Sequence, residues 1–419
     1  MAPGRLLDHL VAGDTDAYDV TLFNAEKRGT YNRLMLSPVL SGEKTYADIV
    51  THDDAWYAKN GVTCRFDERV LSVDPVTKMV TGQNGAVAYD KLVIATGSTP
   101  FIIPLPGHDL PGVIAYRDLE DTQEMINLGQ KPQARAVVIG GGVLGLEAAA
   151  GMAAQGIDVT VVHNCGHLME RQLDAPAGGL LKLDLEARGI TVLCDANSQE
   201  ILAGTDGRVR ALMLADGTEL PCDLLVMAVG VRPNTALAAP AGLDVNKGIV
   251  VDDAMRTSAP DVYALGECVE HRGAVFGLVA PLYDQAEVLA KTLLGDTAVF
   301  TPKQLSTKLK VTGCDVFSAG DFSDGDDRQN IVFQDKEHGV YKRLVIQGNH
   351  LVGAVMYGDT ADGAWFYSHI TNGTDITPLR DQLIFGPAFE TDFARLPLSS
   401  IASDVAAPIH PQHNLKGVA

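Results

Sequence analysis

The chain has 419 residues, of which 46% are hydrophobic and 21% charged, and this allows two or three domains with sizeable cores. Its formal net charge of -20 argues against nucleic acid and anionic membrane surfaces as partners, because both would repel it. Six cysteines are scattered without a C-x-x-C pair, and no apolar run reaches the roughly 18 residues of a membrane span. These features favour a cytoplasmic α/β protein without a metal site.

The first predicted elements are a helix over residues 5–11 and a strand within residues 17–27, which ends near Glu26. The run LVIATGSTP, residues 92–100, predicts another apolar strand, which ends at Thr96 and Gly97. Prolines and glycines then crowd residues 99–112 and indicate the end of a domain segment.

The clearest unit is ARAVVIGGGVLGLEAAAGMAAQGIDVTVVHN, residues 134–164. It predicts a buried strand over residues 136–139, a helix over residues 144–155 and a second strand over residues 158–162. Gly140, Gly142 and Gly145 form a G-x-G-x-x-G between strand and helix. Such glycines permit a tight turn, the approach of a pyrophosphate and close helix packing, while the helix N-terminus attracts phosphate. The unit therefore predicts a dinucleotide site.

One position in this unit departs from the usual pattern. An acidic residue normally ends the second strand and binds the ribose 2′-hydroxyl, but His163 stands there. A histidine neither accepts hydrogen bonds from a ribose as a carboxylate does nor binds a phosphate as arginine does. The choice between NADH and NADPH therefore stays open. Glu147, in the first turn of the helix, either contacts a nicotinamide ribose or only stabilises the helix dipole.

Downstream of the glycine unit the pattern returns to strands. The run DVYALGECVEH, residues 261–271, predicts a strand that ends at Gly266 and Glu267. A helix is predicted to begin at residues 279–281, which include Ala280. Alternating runs between residues 300 and 389 predict antiparallel strands.

These signatures, in this order, resemble the pyridine nucleotide-disulfide oxidoreductase superfamily, in which an NAD(P)H domain interrupts an FAD domain and a smaller domain follows. The resemblance implies an α/β fold with two Rossmann-like dinucleotide-binding domains and an α+β C-terminal domain. The expected divisions are an FAD domain over residues 1–113 and 243–297, an NAD(P)H domain over 114–242, a C-terminal domain over 298–390 and a tail or linker over 391–419.

The two nucleotide units align as an internal repeat, which matches the helix over residues 5–11 with the helix of the glycine unit. Glu26 then ends the second strand of the FAD unit, as an adenosine ribose contact requires. The same spacing places two glycines of the FAD phosphate loop before Met1. We therefore expect a truncated chain or an upstream start, with the first FAD strand missing; the alternative is a complete chain that starts with a helix.

Longer stretches narrow the resemblance. The runs EKRGTYNRLMLSPVLSGEKTYADI (residues 26–49), VTVVHNCGHLMERQLD (residues 159–174) and GECVEHRGAVFGLVAPLYDQAEVLA (residues 266–290) closely resemble the flavin-bearing part of the large subunit of assimilatory NAD(P)H nitrite reductase. Where disulfide reductases carry cysteines, the first run has Leu36, Ser37 and Pro38, which argues against a thiol relay. Electrons are then expected to pass by hydride transfer from NAD(P)H to FAD and onward to a separate iron-sulfur and siroheme partner, because the cysteines here form no cluster motif.

The resemblance also implies roles for single residues. The implied FAD contacts are Glu26, Arg28, which faces the pyrophosphate, Thr96, Gly97, Gly266, Glu267 and Ala280. The implied NAD(P)H contacts are Gly140, Gly142, Gly145, Glu147, His163 and Gly230. Lys44 is the single catalytic candidate, although a solvated surface role is equally open to a lysine; Tyr31, Asn32 and Arg33 are further candidates for flavin or acceptor contact.

Two other functions stay open. An NADH-dependent reductase of rubredoxin or ferredoxin has the same architecture without a thiol, although the acidic net charge disfavours an acidic ferredoxin. A redox-inert nucleotide-binding relic is the other alternative. The chain could also form a homodimer.

Overall fold

The computed structural model describes residues 1–14, 17–303, 306–311 and 313–389. The tail or linker predicted over residues 391–419 lies outside the described residues. The described part forms parallel and mixed sheets with helices against them, followed by an antiparallel sheet. None of the helices in this part is long and apolar enough to cross a membrane.

Residues 1–100 form small sheets beside a long N-terminal helix. Their elements are α1 (Ala2–Gly13), β1 (Thr21–Phe23), α2 (Leu36–Leu40), α3 (Asp54–Lys59), β2 (Thr63–Arg65), β3 (Val70–Asp74), β4 (Met79–Gly82), β5 (Gly85–Ala88), β6 (Leu92–Ile94) and β7 (Ser98–Pro100), with short 3-10 helices at Arg33–Met35 and Ala47–Ile49. β1 pairs in parallel with β2, and β3, β4 and β5 form an antiparallel sheet. The strand predicted within residues 17–27 is shorter than expected, and the one predicted over residues 92–100 divides into β6 and β7.

The glycine unit lies at the centre of a parallel sheet. The elements of this part are β8 (Val113–Ala115), α4 (Leu119–Leu128), β9 (Arg135–Ile139), α5 (Val143–Ala154), β10 (Asp158–Val162), α6 (Ala175–Ala187), β11 (Thr191–Leu193), β12 (Ser198–Ala203), β13 (Val209–Leu214), β14 (Glu219–Pro221), β15 (Leu224–Met227) and β16 (Val231–Pro233). The parallel order is β11-β10-β9-β15-β8. β15 is buried along its whole length, as its continuous apolar sequence requires in a covered parallel sheet.

Helix α5 is apolar on most of its surface because it lies between this sheet and the first segment. A Cβ at Gly151 would meet the Leu40 side chain of α2 at 2.6 Å, so only glycine allows the two helices this close approach. The contact holds the end of α2 against α5. β16 also returns to the first segment, where it pairs with β7.

The chain then completes the first segment's sheet. The next elements are β17 (Ile249–Val251), β18 (Val262–Ala264), β19 (Val269–His271), β20 (Ala274–Val275) and α7 (Val279–Leu293). β18 pairs in parallel with β6, so the two strands end at the same edge. α7 packs against α1, and Leu6 and Leu10 share a core there with Leu289 and Leu293.

The last described part is an antiparallel sheet in the order β21-β22-β25-β24-β23, from β21 (Ser306–Val311), β22 (Cys314–Gly320), β23 (Arg328–Asp335), β24 (Val340–Gln347) and β25 (His350–Tyr357). α8 (Gly363–Asn372) and 3-10 turns at Thr377–Leu379 and Leu383–Phe389 follow. A buried polar contact attaches this sheet to α6: Asp174 caps the helix and accepts hydrogen bonds from Tyr341 at 2.7 Å and Arg343 at 3.2 Å. The antiparallel sheet is therefore fixed to the parallel one.

Candidate active site

A large cavity of about 2360 Å³ connects the carboxyl edges of the two sheets. One wall follows the ends of β6 and β18, and the other follows the ends of β9, β10 and β15. Ligands of open α/β sheets bind at such edges. The volume is more than twice that of a typical pocket for one small molecule, which reaches about 1,000 Å³. The space is therefore large enough for two dinucleotides.

Most of the predicted binding residues line this cavity. They are Glu26, Thr96, Gly97, Gly140, Gly142, Glu147, His163, Gly230, Gly266 and Glu267. Thr96 and Gly97 follow β6, and Gly266 and Glu267 follow β18, so the parallel pairing of these strands brings together residues far apart in sequence. Gly230 follows β15, beside the glycine loop after β9.

The structure places four predicted residues outside the cavity lining: Gly145, Arg28, Lys44 and Ala280. Arg28 lies over the Tyr46 ring, 5.1 Å from its centroid, and faces a separate small cavity beside α4. Lys44 is exposed on the loop after α2, and Ala280 lies behind Val279, which lines the cavity in its place. The pyrophosphate contact predicted for Arg28 and the catalytic contact predicted for Lys44 are not supported, because the turn after β1 and the loop after α2 direct both residues away.

Two other arginines supply positive charge on the flavin side of the cavity. Arg33 forms an ion pair with Glu26 and donates to the Arg117 carbonyl at 3.2 Å. Arg117 donates in turn to Glu267 at 2.5 Å, and the Ser98 hydroxyl donates to the same carboxylate oxygen at 2.8 Å. The sequence motifs did not identify Arg117. The one local signal was a basic residue just after the carboxyl end of a strand.

The start of α1 lies among these charges. Met1 lines the cavity, and the charged groups of Arg33, Arg117, Glu26 and Glu267 lie near it. A helix start beside two guanidinium groups is a favourable place for a pyrophosphate, so these residues fit an FAD diphosphate.

Glu26 itself lies three residues beyond the end of β1. The Tyr31 hydroxyl donates to its Oε2 at 2.8 Å, while Arg33 binds Oε1. Both oxygens are held, and the side chain still keeps 23% of its surface exposed. The carboxylate is therefore fixed at the cavity wall, in the position predicted for a ribose contact.

The three motif glycines have different roles in the structure. At Gly140, which has φ +120°, a Cβ would meet the Ala228 carbonyl oxygen at 2.3 Å. At Gly145 a Cβ would meet the Gly140 carbonyl oxygen at 2.1 Å, so this glycine lets α5 pack on the loop and does not line the cavity. At Gly142 a Cβ would meet nothing within 4 Å. The amide groups that begin α5 therefore open into the cavity, as a bound pyrophosphate requires.

His163 is buried at the end of β10, against the glycine loop. Its Nδ1 accepts the Gly141 N–H at 3.1 Å, and a Cβ at Gly141 would lie 2.7 Å from the imidazole. Its Nε2 lies 3.1 Å from the Glu170 carboxylate, in a bent contact without ideal hydrogen-bond direction. Gly141, the second glycine of the GGG run, thus makes room for His163. The G-x-G-x-x-G motif does not predict this role of Gly141.

Ligand atoms of His163, Cys165 and Glu170 lie within 4.8 Å of one another, close enough to hold a metal ion. The hydrogen bond from Gly141 opposes that use. A ring nitrogen that accepts an N–H carries no proton, so the proton of a neutral imidazole is on Nε2. Nε2 then has no lone pair for a metal, and the cluster is better described as a neutral imidazole beside a carboxylate.

Glu147 and Ser37 meet where α5 approaches α2. The Ser37 hydroxyl donates to Glu147 Oε2 at 2.8 Å, and the Tyr116 hydroxyl lies 3.3 Å from the serine oxygen. Burial raises the pKa of Glu147, and the bond from Ser37 lowers it in part. Ser37 therefore supports a carboxylate at the position where the sequence resemblance placed the cysteines of disulfide reductases.

Comparison with known proteins agrees with this geometry. The family model of the pyridine nucleotide-disulphide oxidoreductases matches residues 9–287, and that of the rubredoxin NAD+ reductase C-terminal domain matches residues 306–374. A solved NADH:rubredoxin oxidoreductase from Clostridium acetobutylicum is 27% identical with a TM-score of 0.74, and the match covers 89% of this chain and 94% of that one.

Two curated relatives from Bacillus subtilis (strain 168) are more similar in sequence. A nitrite reductase [NAD(P)H] is 46% identical over 90% of this chain and 47% of its own length. An assimilatory nitrate reductase electron transfer subunit is 39% identical over 93% of this chain and 51% of its own length. The chain thus spans about half the length of these relatives.

These matches confirm the predicted fold class, the resemblance to NAD(P)H nitrite reductase and the class of enzyme, an NAD(P)H-dependent oxidoreductase. The predicted cofactors, FAD and NAD(P)H, are those of this group of proteins. The family model covers most of the chain, and the glycine loop and the flavin-side strand ends share one cavity. The chain therefore belongs to the pyridine nucleotide-disulphide oxidoreductase family.

Proposed function

We propose that this chain oxidises NAD(P)H and passes the electrons through FAD to a separate acceptor that carries iron-sulfur and siroheme groups, in the assimilation of nitrite or nitrate. The observation that carries the proposal is the shared cavity, in which the glycine loop and the flavin-side arginines face one space. The two Bacillus relatives, named as a nitrite reductase and an electron transfer subunit, support the choice of pathway.

The residues of this chain act in the proposal by binding and orientation. FAD, when bound, supplies a ring that accepts a hydride from nicotinamide and releases electrons to an acceptor. Arg33 and Arg117 neutralise its diphosphate, and Glu26 accepts from its ribose. Gly140 and Gly142 admit the second pyrophosphate to the start of α5. Hydride transfer needs close, aligned rings and exclusion of water more than a strong acid or base, which agrees with a site composed of binding residues.

The absence of a cysteine at Ser37 supports direct release of electrons from the flavin. In the described structure, Cys165 is the cysteine that lines the cavity, and it lies on the loop after β10 beside His163. That loop belongs to the glycine unit and not to the flavin-side strand ends. We propose that no thiol stores electrons here, so the acceptor must take them from the flavin.

We further propose a cytoplasmic location, supported by cysteines spaced without a disulfide framework. We also propose a homodimer. Size-exclusion chromatography with light scattering gives the mass in solution, and a mass near 44.5 kDa contradicts the dimer.

A second candidate acceptor is rubredoxin, and two findings favour it. The C-terminal part matches the rubredoxin NAD+ reductase domain, and a solved rubredoxin oxidoreductase has the same fold. The higher identity to nitrite reductase, over a similar share of the chain, favours the first candidate.

The test is an anaerobic titration of the chain purified with excess FAD. The expected result is a flavin spectrum that bleaches with NAD(P)H and recovers on addition of the siroheme-bearing part of a nitrite reductase, faster than on addition of rubredoxin or ferredoxin. Faster recovery with rubredoxin supports the second candidate. A protein that binds no FAD, or whose FAD is not bleached by NAD(P)H, contradicts the proposal. The redox-inert nucleotide-binding relic is then the remaining function.

A further inference from the structure

The glycine unit has no carboxylate at the end of β10, where a ribose contact is expected. We propose that Glu170, placed beside His163, takes this role and makes the chain prefer NADH over NADPH. This inference rests on the proposed function, since it concerns the same NAD(P)H site. His163 is in this scheme a positioning residue, and Glu170 the residue that contacts the ribose.

The first step of the argument is that the imidazole of His163 cannot turn freely. The ring is 5% exposed, its Nδ1 accepts the Gly141 N–H at 3.1 Å, and Gly141 packs against the ring face. The loop that binds the pyrophosphate thus fixes the ring. Because Nδ1 is an acceptor, Nε2 carries the proton and directs positive partial charge towards Glu170.

The second step concerns Glu170. Its Oε2 lies 3.1 Å from His163 Nε2, while 35% of its side chain stays exposed. The residue lines the cavity together with His163 and Asn164. One side of the carboxylate therefore lies against the imidazole, and the remaining lone pairs face the space where the adenosine end of the nucleotide is expected. A ribose 2′-hydroxyl can donate to them.

The third step is the effect on a 2′-phosphate. The phosphate of NADPH would bring about two negative charges to the Glu170 carboxylate, and like charges a few ångströms apart repel even in a partly exposed site. The neighbouring Arg171 also lines the cavity and could attract this phosphate. Arg171 is exposed, however, and no partner among the described residues holds its side chain, so a clamp would have to immobilise it. Glu170, which lies 3.1 Å from the buried imidazole, therefore dominates.

The experiment measures binding of ADP-ribose and 2′-phospho-ADP-ribose by isothermal titration calorimetry on the full chain. These probes carry no nicotinamide, so their binding does not depend on flavin reduction or on an acceptor. We expect the wild type to bind ADP-ribose about tenfold more tightly, the size expected for one nearby like charge. Glu170→Gln keeps the side-chain volume and removes the charge, and it should reduce this ratio to about 2 or less.

Two variants separate positioning from structure. His163→Phe keeps a ring of similar size but removes both nitrogens, and it should reduce the ratio at least threefold. A merely structural role of His163 would weaken both probes equally and leave the ratio unchanged, which contradicts the positioning role. Arg171→Gln is the matched neighbour control, and it should change the ratio less than threefold.

The outcomes also separate this inference from the proposed function. Tighter binding of 2′-phospho-ADP-ribose by the wild type, or an unchanged ratio in Glu170→Gln, overturns the inference while the NAD(P)H site stands. A wild type that binds neither probe at millimolar concentration overturns the proposed function and the inference with it.

Discussion

Replacement of Ser37 with alanine is expected to destabilise the protein in a pH-dependent way. The serine hydroxyl donates to Glu147 at 2.8 Å, and the carboxylate is mostly buried beside the glycine loop. A hydrogen bond to a charged group contributes about 1.5–3 kcal/mol, against about 1 kcal/mol for a neutral one. We therefore expect Ser37→Ala to lower the free energy of unfolding by about 2 kcal/mol at pH 8.

The direction of the pH effect follows from the pKa of Glu147. Burial raises this pKa above the ordinary value of 4.5, so the folded protein favours the protonated carboxyl. Wild-type stability from this group is complete below pH 4.5 and is lost as the pH rises through the folded pKa. The bond from Ser37 opposes the shift, so its removal raises the pKa further. The loss caused by Ser37→Ala should then be largest at pH 8 and fall to about 1 kcal/mol near pH 4, below the ordinary pKa of glutamate.

The assay is urea unfolding, followed by circular dichroism at pH 4 and pH 8. Glu147→Gln is the matched control, because its amide oxygen can accept from Ser37 without a charge. In that background Ser37→Ala should cost about 1 kcal/mol at both pH values. If Ser37→Ala in the wild-type background costs the same at pH 4 and pH 8, the reasoning is refuted, because the ionised carboxylate would then not be what the hydroxyl stabilises.

Four further substitutions test the cavity and the attachment of the last sheet. Gly145→Ala forces a Cβ against a carbonyl oxygen at 2.1 Å and should lower the free energy of unfolding in urea by about 1–3 kcal/mol. Gly142→Ala should leave stability unchanged and weaken ADP-ribose binding in calorimetry. Equal losses of stability in the two variants would contradict this. Arg117→Gln should weaken FAD about tenfold in a fluorescence titration of the apoprotein, and unchanged affinity would exclude Arg117 from the FAD site. Asp174→Asn leaves the buried Arg343 without a charged partner on α6 and should cost about 3 kcal/mol, while a loss below 1 kcal/mol would show that this contact does not hold the sheet.

The glycine unit was predictable because its signals are local. An apolar run, glycines at fixed spacing and a stretch of helix formers follow one another without a gap, and the observed β9, α5 and β10 agree with the predicted ranges to within a residue or so. The flavin-side strands were less predictable. β1 and β6 have three residues each, and their pairing with β2 and β18 depends on chain far away in sequence.

The cationic side of the cavity shows where local patterns fail. The resemblance implied a pyrophosphate contact for Arg28, yet the turn after β1 directs it to Tyr46. Arg33 and Arg117 take its place, and these two arginines are 84 residues apart. Arg117 in turn reaches Glu267, 150 residues further on. Such a set forms only when β6, β8 and β18 are assembled, so no spacing rule in one sequence could have found it.

The two positions where the chain departs from the usual motifs, Ser37 and His163, have a common structural result. Each places a hydrogen-bearing polar atom beside a carboxylate that lines the cavity, at 2.8 Å from Glu147 and 3.1 Å from Glu170. The two carboxylates belong to different parts of the nucleotide site, one at the start of α5 and one on the loop after β10. Ser37→Ala should therefore change the affinities for NADH and NADPH by the same factor, since both carry the same nicotinamide end. His163→Phe should change the ratio of the two affinities, because the two nucleotides differ at the ribose 2′-position. A ratio that responds to Ser37 and not to His163 would mean that the assignment of the two ends is reversed.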